Sequence, residues 1–279
     1  MYRFPNIYDY LLCDIMEDGE EVEVGQWQSQ DVSDRPEMIS RELRHKTVRL
    51  EVWDDVLQWQ YEVKPNLPWA EDHFQERVSG EPLNPPPSEA WWPFRVRGNE
   101  DHKVGEIFHH TYPERIWCKM AGWSRGPYEY WTDELNKGIR YKYGDLNDVV
   151  NQLERNPLTR QAFLPIWFPE DTGAKAVPGQ RVPCTLGYHF LSRKGAMDIV
   201  YYMRSCDLLR HFPDDVYMAG RLLQWVVGKL RERSVDVRPG ELVMHISSLH
   251  VFRGDYERIK HMIANIKGDE EEPIYGAAV

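Results

Sequence analysis

The sequence predicts a single domain that contains both helices and strands. Two neighbouring segments, 185–192 (TLGYHFLS) and 197–203 (MDIVYYM), alternate apolar and polar residues with the period of two that is typical of paired strands. Residues 216–233 (VYMAGRLLQWVVGKLRER) instead repeat apolar residues along one broad helical face, which predicts a central core helix. The 279 residues show no internal repeat and no linker that divides them, so we expect one domain over 1–279.

The first half of the chain predicts a helix, strands and a second helix in turn. Residues 6–18 (NIYDYLLCDIMED) carry apolar side chains at helical spacing. Residues 47–63 contain two alternating apolar runs, which favours a strand pair or one bulged strand. Residues 69–78 (WAEDHFQERV) predict a short helix that ends at a serine and a glycine. The stretch 81–105, rich in proline and tryptophan, is interpreted as an ordered insertion.

The second half adds elements on both sides of the paired strands. Residues 145–155 (DLNDVVNQLER) are amphipathic and predict a helix. The apolar run AFLPIW at 162–167 is typical of a buried strand. A further strand is expected over 241–252 (ELVMHISSLHVF), and a terminal helix over 256–266.

Composition limits the classes of function. A net charge of −11 argues against a protein that coats nucleic acid, because neutralising phosphates requires a basic surface, although a few converging arginines can still bind one phosphate. No run approaches the roughly 18 apolar residues of a membrane span, and the start of the chain lacks a signal-peptide pattern, so we expect a soluble, cytoplasmic protein. The four cysteines lack CxxC spacing and the adjacent His109 and His110 have no ligand-rich partner segment, so neither a disulfide framework nor a metal site is predicted.

Cys184 is the residue around which the candidate site is organised. It lies at the start of the first paired strand, so Arg204, at the end of the second, should return close to it. A free thiol, with a pKa of about 8.5, is mostly protonated at neutral pH, and a neighbouring guanidinium favours the reactive thiolate. Cys184 is therefore a candidate nucleophile; the alternative is a buried cysteine that serves only as a small apolar side chain.

Three motifs resemble the core signature of the thymidylate synthase superfamily: Pro183-Cys184, the run Arg204-Ser205-Cys206-Asp207, and Pro213 with Asp215. The likeness is nearly continuous over 145–256 and patchy before it. It implies an α+β fold in which helices flank a large curved mixed sheet, and a homodimer formed sheet to sheet.

Asp215 matters for the choice of base. The resemblance aligns it with an asparagine that pairs with uracil in synthases, whereas cytosine offers the reverse pattern, a 4-amino donor and an N3 acceptor. A carboxyl group can accept from the amine and give a proton to N3, so a cytosine nucleotide, dCMP or CMP, is implied. Thr185 and the run 248–251 (SLHV) are similar to phage deoxycytidylate hydroxymethylases. The implied reaction is 5-hydroxymethylation of dCMP with 5,10-methylenetetrahydrofolate and water.

The resemblance also implies roles for further residues. Cys184 would add to C6 of the pyrimidine, and Asp215 would exchange a proton with N3. Substrate binding falls to Arg204, Ser205, Arg160, His250 and Arg35, with Arg160 reaching across the homodimer. Folate binding falls to Asp207 and Trp117. His189 stands where the family has a glutamine, and no role follows for it.

The catalytic glutamate of the family has two candidates here. Glu71, three residues before Phe74 in the helix predicted at 69–78, resembles the family's Glu-x-x-Trp pattern. Glu89 has the true spacing in SEAWW but follows three prolines, an unsuitable setting for a rigid helix. We therefore expect Glu71 to be catalytic and keep Glu89 as the alternative.

Two other functions remain open on the same fold. The small apolar tail at 277–279 (Ala-Ala-Val) resembles the tail that excludes water in synthases, which favours a C5-methylase acting on dCMP or dUMP. A non-catalytic nucleotide-binding protein is the third hypothesis, since fold does not fix function.

Gly126-Pro127-Tyr128 resembles a further element of the family.

Overall fold

The structure is a computed structural model that describes residues 3–27, 30–93, 103–104, 107–119, 144–172 and 181–270. Three regions singled out in the sequence lie outside the described residues: parts of the 81–105 stretch, Gly126-Pro127-Tyr128 and the C-terminal Ala-Ala-Val. The single-domain assignment stays a prediction.

The described helices are α1 (Phe4–Asp18), α2 (Val56–Val63), α3 (Trp69–Arg77), α4 (Tyr112–Ile116), α5 (Leu146–Arg155), α6 (Pro169–Thr172), α7 (Phe212–Glu232) and α8 (Tyr256–Glu270). The described strands are β1 (Glu20–Val22), β2 (Gln26–Trp27), β3 (Gln30–Asp31), β4 (Ser40–Glu51), β5 (Lys103–Val104), β6 (Ile107–Phe108), β7 (Phe163–Pro165), β8 (Thr185–Arg193), β9 (Ala196–Met203), β10 (Cys206–Asp207) and β11 (Arg238–Phe252).

One mixed sheet organises the described chain. Strands β1, β4, β11, β9, β8 and β7 lie side by side in that order, and β10 also pairs with β11. Strand β11 runs antiparallel to β4 but parallel to β9 and β10. Helices α1 and α7 pack against this sheet. The α+β class is confirmed.

Helix α7 is the central core helix that the apolar pattern predicted. It begins at Phe212, four residues before the predicted start at 216, with Pro213 in its first turn, where the missing N–H costs nothing. Asp214 and Asp215 also lie in that first turn, where the positive end of the helix dipole favours carboxylates. The start of α7 therefore brings Asp215 to a fixed place beside the sheet.

The strand predicted for the second half of 47–63 is wrong, because these residues form α2. Trp59 and Val63, four residues apart, are buried, while Leu57 and Tyr61 are 72% and 80% exposed. The Asp55 side chain caps the helix by accepting a hydrogen bond from the Gln58 N–H at 2.8 Å. The two exposed apolar side chains produced the alternation in the sequence, whereas burial follows the helical period.

The hairpin of β8 and β9 places the candidate nucleophile as expected. Cys184 immediately precedes β8, and Arg204 immediately follows β9. The Arg204 N–H donates to the Cys184 carbonyl oxygen at 2.9 Å. The prediction that Arg204 returns to Cys184 is confirmed, and the chain then passes directly into β10 and α7.

Candidate active site

A cavity of about 560 Å³ lies where α3, the ends of the β8–β9 hairpin, the first turn of α7 and the end of β11 meet. The predicted site residues that line it are Cys184, Arg204, Ser205, Asp207, Asp215 and His250, together with the alternative glutamate Glu89. Residues that are distant in the sequence thus converge on one cavity that is partly open to solvent.

The Cys184 thiol is half-buried and has a cation beside it. The Arg204 guanidinium lies 3.9 Å from the sulfur, and its other hydrogen bonds go to the Pro183 and Val182 carbonyl oxygens, at 2.8 and 3.2 Å. These carbonyl contacts hold the guanidinium in place, so a positive charge lies next to the sulfur. Thr185, the next residue, donates to the Tyr112 hydroxyl at 3.0 Å.

Asp215 is half-buried in the first turn of α7, where it lines the cavity. Burial raises its pKa to about 7; Arg77 acts in the opposite direction, and the neighbouring Asp214 raises it further. The Cys206 thiol lies 3.7 Å from its carboxyl oxygen. At neutral pH this carboxyl group is present in both protonation states, so it can give a proton or accept a hydrogen bond.

Asp207 is buried and firmly held. One carboxyl oxygen accepts from the backbone N–H groups of Leu209 and Arg210, both at 3.0 Å, and the other accepts from the Arg210 guanidinium at 3.0 Å. Arg210 also pairs with Asp255. Asp207 is therefore a fixed negative group at the cavity wall, where it can accept a hydrogen bond from a ligand.

Ser205 and His250 form the neighbouring part of the wall. The Ser205 hydroxyl and the His250 Nδ1 lie 3.5 Å apart, and the parallel pairing of β10 with β11 sets Asp207 opposite His250. Burial lowers the pKa of His250, so its ring is neutral at pH 7. A neutral imidazole and a hydroxyl are suited to hydrogen bonding with sugar hydroxyls or a phosphate.

Helix α3 contributes residues that the sequence analysis missed. Trp69, His73 and Arg77 line the cavity, and their spacing of four residues places them on one face of the helix. The Trp69 and His73 rings stack with their centroids 5.1 Å apart. The signal in the sequence was this i, i+4 spacing, which was available once the helix at 69–78 had been predicted.

The thymidylate synthase family model matches residues 40–273, which include the cavity residues Cys184, Arg204, Ser205, Asp207, Asp215 and His250. The chain belongs to the thymidylate synthase family. The likeness seen in the sequence is thus confirmed at the level of the family.

Individual relatives are distant. The chain is 27% identical over 124 residues to a thymidylate synthase of Rhodopseudomonas palustris, covering 44% of this chain and 39% of that protein. It is 24% identical over 175 residues to a putative thymidylate synthase of Methanosarcina acetivorans, covering 62% and 75%. It is 24% identical over 116 residues to the thymidylate synthase of Enterobacteria phage T4, covering 42% and 37%. The matches thus span from 37% to 75% of the length of these relatives.

Glu71, the first candidate for the family's catalytic glutamate, lies outside the cavity lining. Its carboxylate pairs with the Arg221 guanidinium at 2.9 and 3.0 Å and also accepts from Tyr217 and Gln75. Burial would raise the pKa of Glu71, but these hydrogen bonds outweigh burial and hold it below its usual value. Glu71 faces α7 and does not line the cavity, whereas Glu89 does.

Three further residues implied by the thymidylate synthase likeness also lie away from the described cavity lining. Arg35 is exposed and pairs with Glu37 at 3.1 Å. Arg160 is exposed, and its carbonyl oxygen contacts the His189 ring at 3.1 Å. Trp117 is only 3% exposed and packs in the core. In this single chain these residues do not meet Cys184.

The cavity has the size and the lining of a small-molecule site. Small-molecule sites measure roughly 300–1,000 Å³ and are mostly apolar with a few placed polar groups. Here the aromatic side chains of Trp69, Trp92, Phe108, Tyr112 and Phe252 form flat walls around the polar groups. Flat aromatic walls suit a pyrimidine and a pteridine ring.

The described residues show neither a metal-binding group nor a membrane-spanning helix. They contain no group of three or more histidine, cysteine, aspartate or glutamate side chains arranged to hold a metal ion. No helix among them is both long and apolar enough to span a membrane.

Proposed function

We propose that this chain is a folate-dependent one-carbon transferase that converts dCMP or CMP to its 5-hydroxymethyl derivative. Membership of the thymidylate synthase family supports the one-carbon chemistry. The observation that carries the choice of base is Asp215, a carboxyl group with a pKa of about 7 on the wall of the cavity that holds Cys184.

In this proposal Cys184 starts the reaction. Its thiolate, with the Arg204 guanidinium 3.9 Å from the sulfur, adds to C6 of the pyrimidine and makes C5 nucleophilic. Asp215 accepts a hydrogen bond from the 4-amino group and gives a proton to N3, which stabilises the adduct as charge develops on the ring. A carboxyl group whose pKa is near neutrality can do both without a large energetic cost.

The rest of the proposed site holds the two substrates. Arg204 and Ser205 bind the nucleotide phosphate, and His250 binds the sugar. 5,10-Methylenetetrahydrofolate supplies the one-carbon unit. Asp207 accepts hydrogen bonds from the pterin ring at the cavity wall, and the aromatic side chains pack against its faces.

A homodimer would complete the phosphate site. Strands β7 to β9 turn one row of side chains away from α7, and these side chains are half-buried or exposed: Phe163, His189, Leu191, Val200 and Tyr202. A partly apolar sheet face of this kind is suited to pairing with a second copy. We propose that Arg160, which does not reach its own cavity, contributes to the cavity of the partner subunit.

A second candidate is C5-methylation, as in thymidylate synthases. The names of the relatives favour it, because those that match well include thymidylate synthases from bacteria and phage. The two products differ in the last step, since water gives a hydroxymethyl group and hydride from the folate gives a methyl group.

The test is a mass-spectrometric product assay with methylenetetrahydrofolate and dCMP, CMP or dUMP, on the wild type and Cys184→Ala. The proposal expects a hydroxymethyl product from a cytosine nucleotide that is absent with the variant. A methyl product on dCMP would support the second candidate. Turnover of dUMP alone would contradict the proposed role of Asp215.

A further inference from the structure

A histidine and a carboxylate form a hydrogen-bonded pair on the cavity face of α3. The His73 Nδ1 lies 3.2 Å from a Glu76 carboxyl oxygen and 3.0 Å from the Ser88 hydroxyl. Ser88 is fully buried, and its backbone N–H donates to the same carboxylate at 2.6 Å. His73 and Ser88 both line the cavity. None of these three residues has a role in the function proposed above.

The hydrogen bonds assign the tautomer of His73. The Ser88 hydroxyl donates its single hydrogen to Glu76, so it can only accept from the imidazole. Glu76, as a carboxylate, can also only accept. The proton of the neutral ring must therefore be on Nδ1, and Nε2 carries the lone pair.

The lone pair on Nε2 is available to a ligand. Among the residues that the structure describes, none hydrogen-bonds to Nε2, and the ring is held in place by stacking on Trp69. Burial, together with Arg77, lowers the pKa of His73 to about 4, although Glu76 acts in the opposite direction. The ring is thus neutral at pH 7 and can take up a proton that Glu76 then stabilises.

A chain of contacts links His73 to the nucleophile. Arg77, one helical turn after His73, lies over the Tyr112 ring with its guanidinium carbon 4.0 Å from the ring centroid. The Tyr112 hydroxyl accepts from Thr185, the residue next to Cys184. These contacts connect the helical turn that follows His73 to the residue next to Cys184.

We propose that His73 is the catalytic base that takes the proton from the water molecule consumed in hydroxymethylation, and that Glu76 and Ser88 position it. This inference rests on the proposed function. On the pyrimidine attached to Cys184, the water oxygen bonds to the exocyclic methylene carbon while its proton passes to Nε2. The ring electrons restore the C5=C6 double bond, and the C6–S bond breaks to release the thiolate. One hydroxide is gained and one thiolate leaves, so no oxidant or reductant is consumed.

The tautomer can be measured without any substrate. Nitrogen-15 NMR of histidine-labelled protein at pH 7 should show His73 protonated on Nδ1 and unprotonated on Nε2. Glu76→Gln should weaken this preference, because an amide can also present a donor to Nδ1. A His73 ring protonated on Nε2 in the wild type would overturn the proposal.

Kinetics then test the chemical role. His73→Ala and His73→Gln should lower kcat by about 10²-fold or more, the usual effect of losing a general base, with little change in KM. Added imidazole should restore part of the turnover of His73→Ala. Glu76→Gln should lower kcat to a smaller extent, again with KM unchanged. The matched control is His261→Ala, which removes an exposed histidine of α8.

Adduct formation separates this proposal from the proposed function. The mechanism-based analogue 5-fluoro-dCMP, with methylenetetrahydrofolate, should give a covalent adduct in the wild type and in both His73 variants, because the step assigned to His73 comes later. Wild-type kcat in the variants, or loss of the adduct in both, would overturn the role of His73. A wild type that forms no adduct would overturn the proposed function and this inference together.

Discussion

At the scale of the residue, Asp214 and Asp215 show how surroundings separate two adjacent carboxyl groups. Asp214 accepts hydrogen bonds from the Asn66 backbone and side chain, both at 2.8 Å, and is committed to holding the segment before α3. Both carboxyl groups line the cavity, but Asp215 has no such partner in the Asn66 segment, and burial raises its pKa to about 7. The proposed choice of base therefore rests on Asp215.

Asp215→Asn should shift substrate preference from cytosine toward uracil nucleotides. The amide can donate to O4 and accept from N3–H of uracil, but it cannot give a proton to N3 of cytosine. Each mispaired buried group costs about 1–3 kcal/mol, so the ratio of kcat/KM for dCMP over dUMP should fall by roughly 10- to 100-fold. Steady-state kinetics with both nucleotides measure the ratio, and an unchanged ratio would contradict the assignment.

The same substitution should change how stability depends on pH. Because the pKa of Asp215 is raised from 3.8 to about 7 in the folded protein, its contribution to stability is complete below pH 4 and is lost as the pH rises to 7. Asparagine does not titrate. The free energy of unfolding of Asp215→Asn, relative to that of the wild type, should therefore rise from pH 5 to pH 8. Urea unfolding at the two pH values measures this change. If variant and wild type differ by the same free energy of unfolding at pH 5 and at pH 8, the pKa of Asp215 is not raised in the folded protein.

The sequence allowed some site residues to be predicted better than others. Cys184 and Arg204 lie at the two ends of one hairpin, so the alternation of two strands was enough to predict that they meet, whereas Asp207 was implied only by the family resemblance. Glu71 and His73 are on the same helix, and only tertiary contacts decide which of them faces the cavity. Arg221 on α7 draws Glu71 away, and this partner is 150 residues distant in the chain.

At the scale of the element, the packing of α2 on α7 explains why the second half of 47–63 is a helix, although its apolar pattern predicted a strand. Alternating apolar residues predict a strand because they would all be buried on one face. Here two of the alternating apolar residues, Leu57 and Tyr61, are exposed instead. By contrast, α1, α5 and α7 have one apolar face each and were predicted close to their observed bounds. Trp59 of α2 donates from its indole nitrogen to the Tyr217 carbonyl oxygen at 3.1 Å.

Two glycines of α7 give a matched test of this packing. A Cβ at Gly220 would overlap the Trp59 indole, whereas a Cβ at Gly228 would meet no atom within 4 Å. Gly220→Ala should therefore lower the free energy of unfolding by about 1–3 kcal/mol through overpacking. Gly228→Ala should raise it by roughly 0.5–1 kcal/mol, because alanine favours a helix interior. Chemical denaturation measures both, and equal effects would contradict this close contact.

At the scale of the whole molecule, the mixed sheet carries the site on one side and a partly apolar face on the other. The class of fold followed from the sequence because strands and helices alternate in clear patterns along the chain. The pairing of β11 between β4 and β9 could not be predicted from the sequence, because it joins strands that are far apart along the chain. The proposed homodimer depends on the sheet face that β7 to β9 leave half-exposed.

Subunit complementation tests that homodimer. If Arg160 serves the partner's cavity, Cys184→Ala and Arg160→Ala are each impaired as homodimers. A mixed dimer contains one site with both residues intact, so refolding an equal mixture should restore about a quarter of wild-type turnover. No recovery from a mixture that forms mixed dimers would show that Arg160 does not serve the partner's cavity, and full activity of Arg160→Ala alone would place Arg160 outside the site.

The most direct test of the central claim is a competition for Cys184. The wild type is incubated with methylenetetrahydrofolate and equal amounts of 5-fluoro-dCMP and 5-fluoro-dUMP, and the covalent adduct is identified by mass spectrometry of its peptides. We expect the cytosine nucleotide and the folate to be attached to the peptide that contains Cys184. An adduct with the uracil nucleotide, or no adduct at Cys184, would contradict the account.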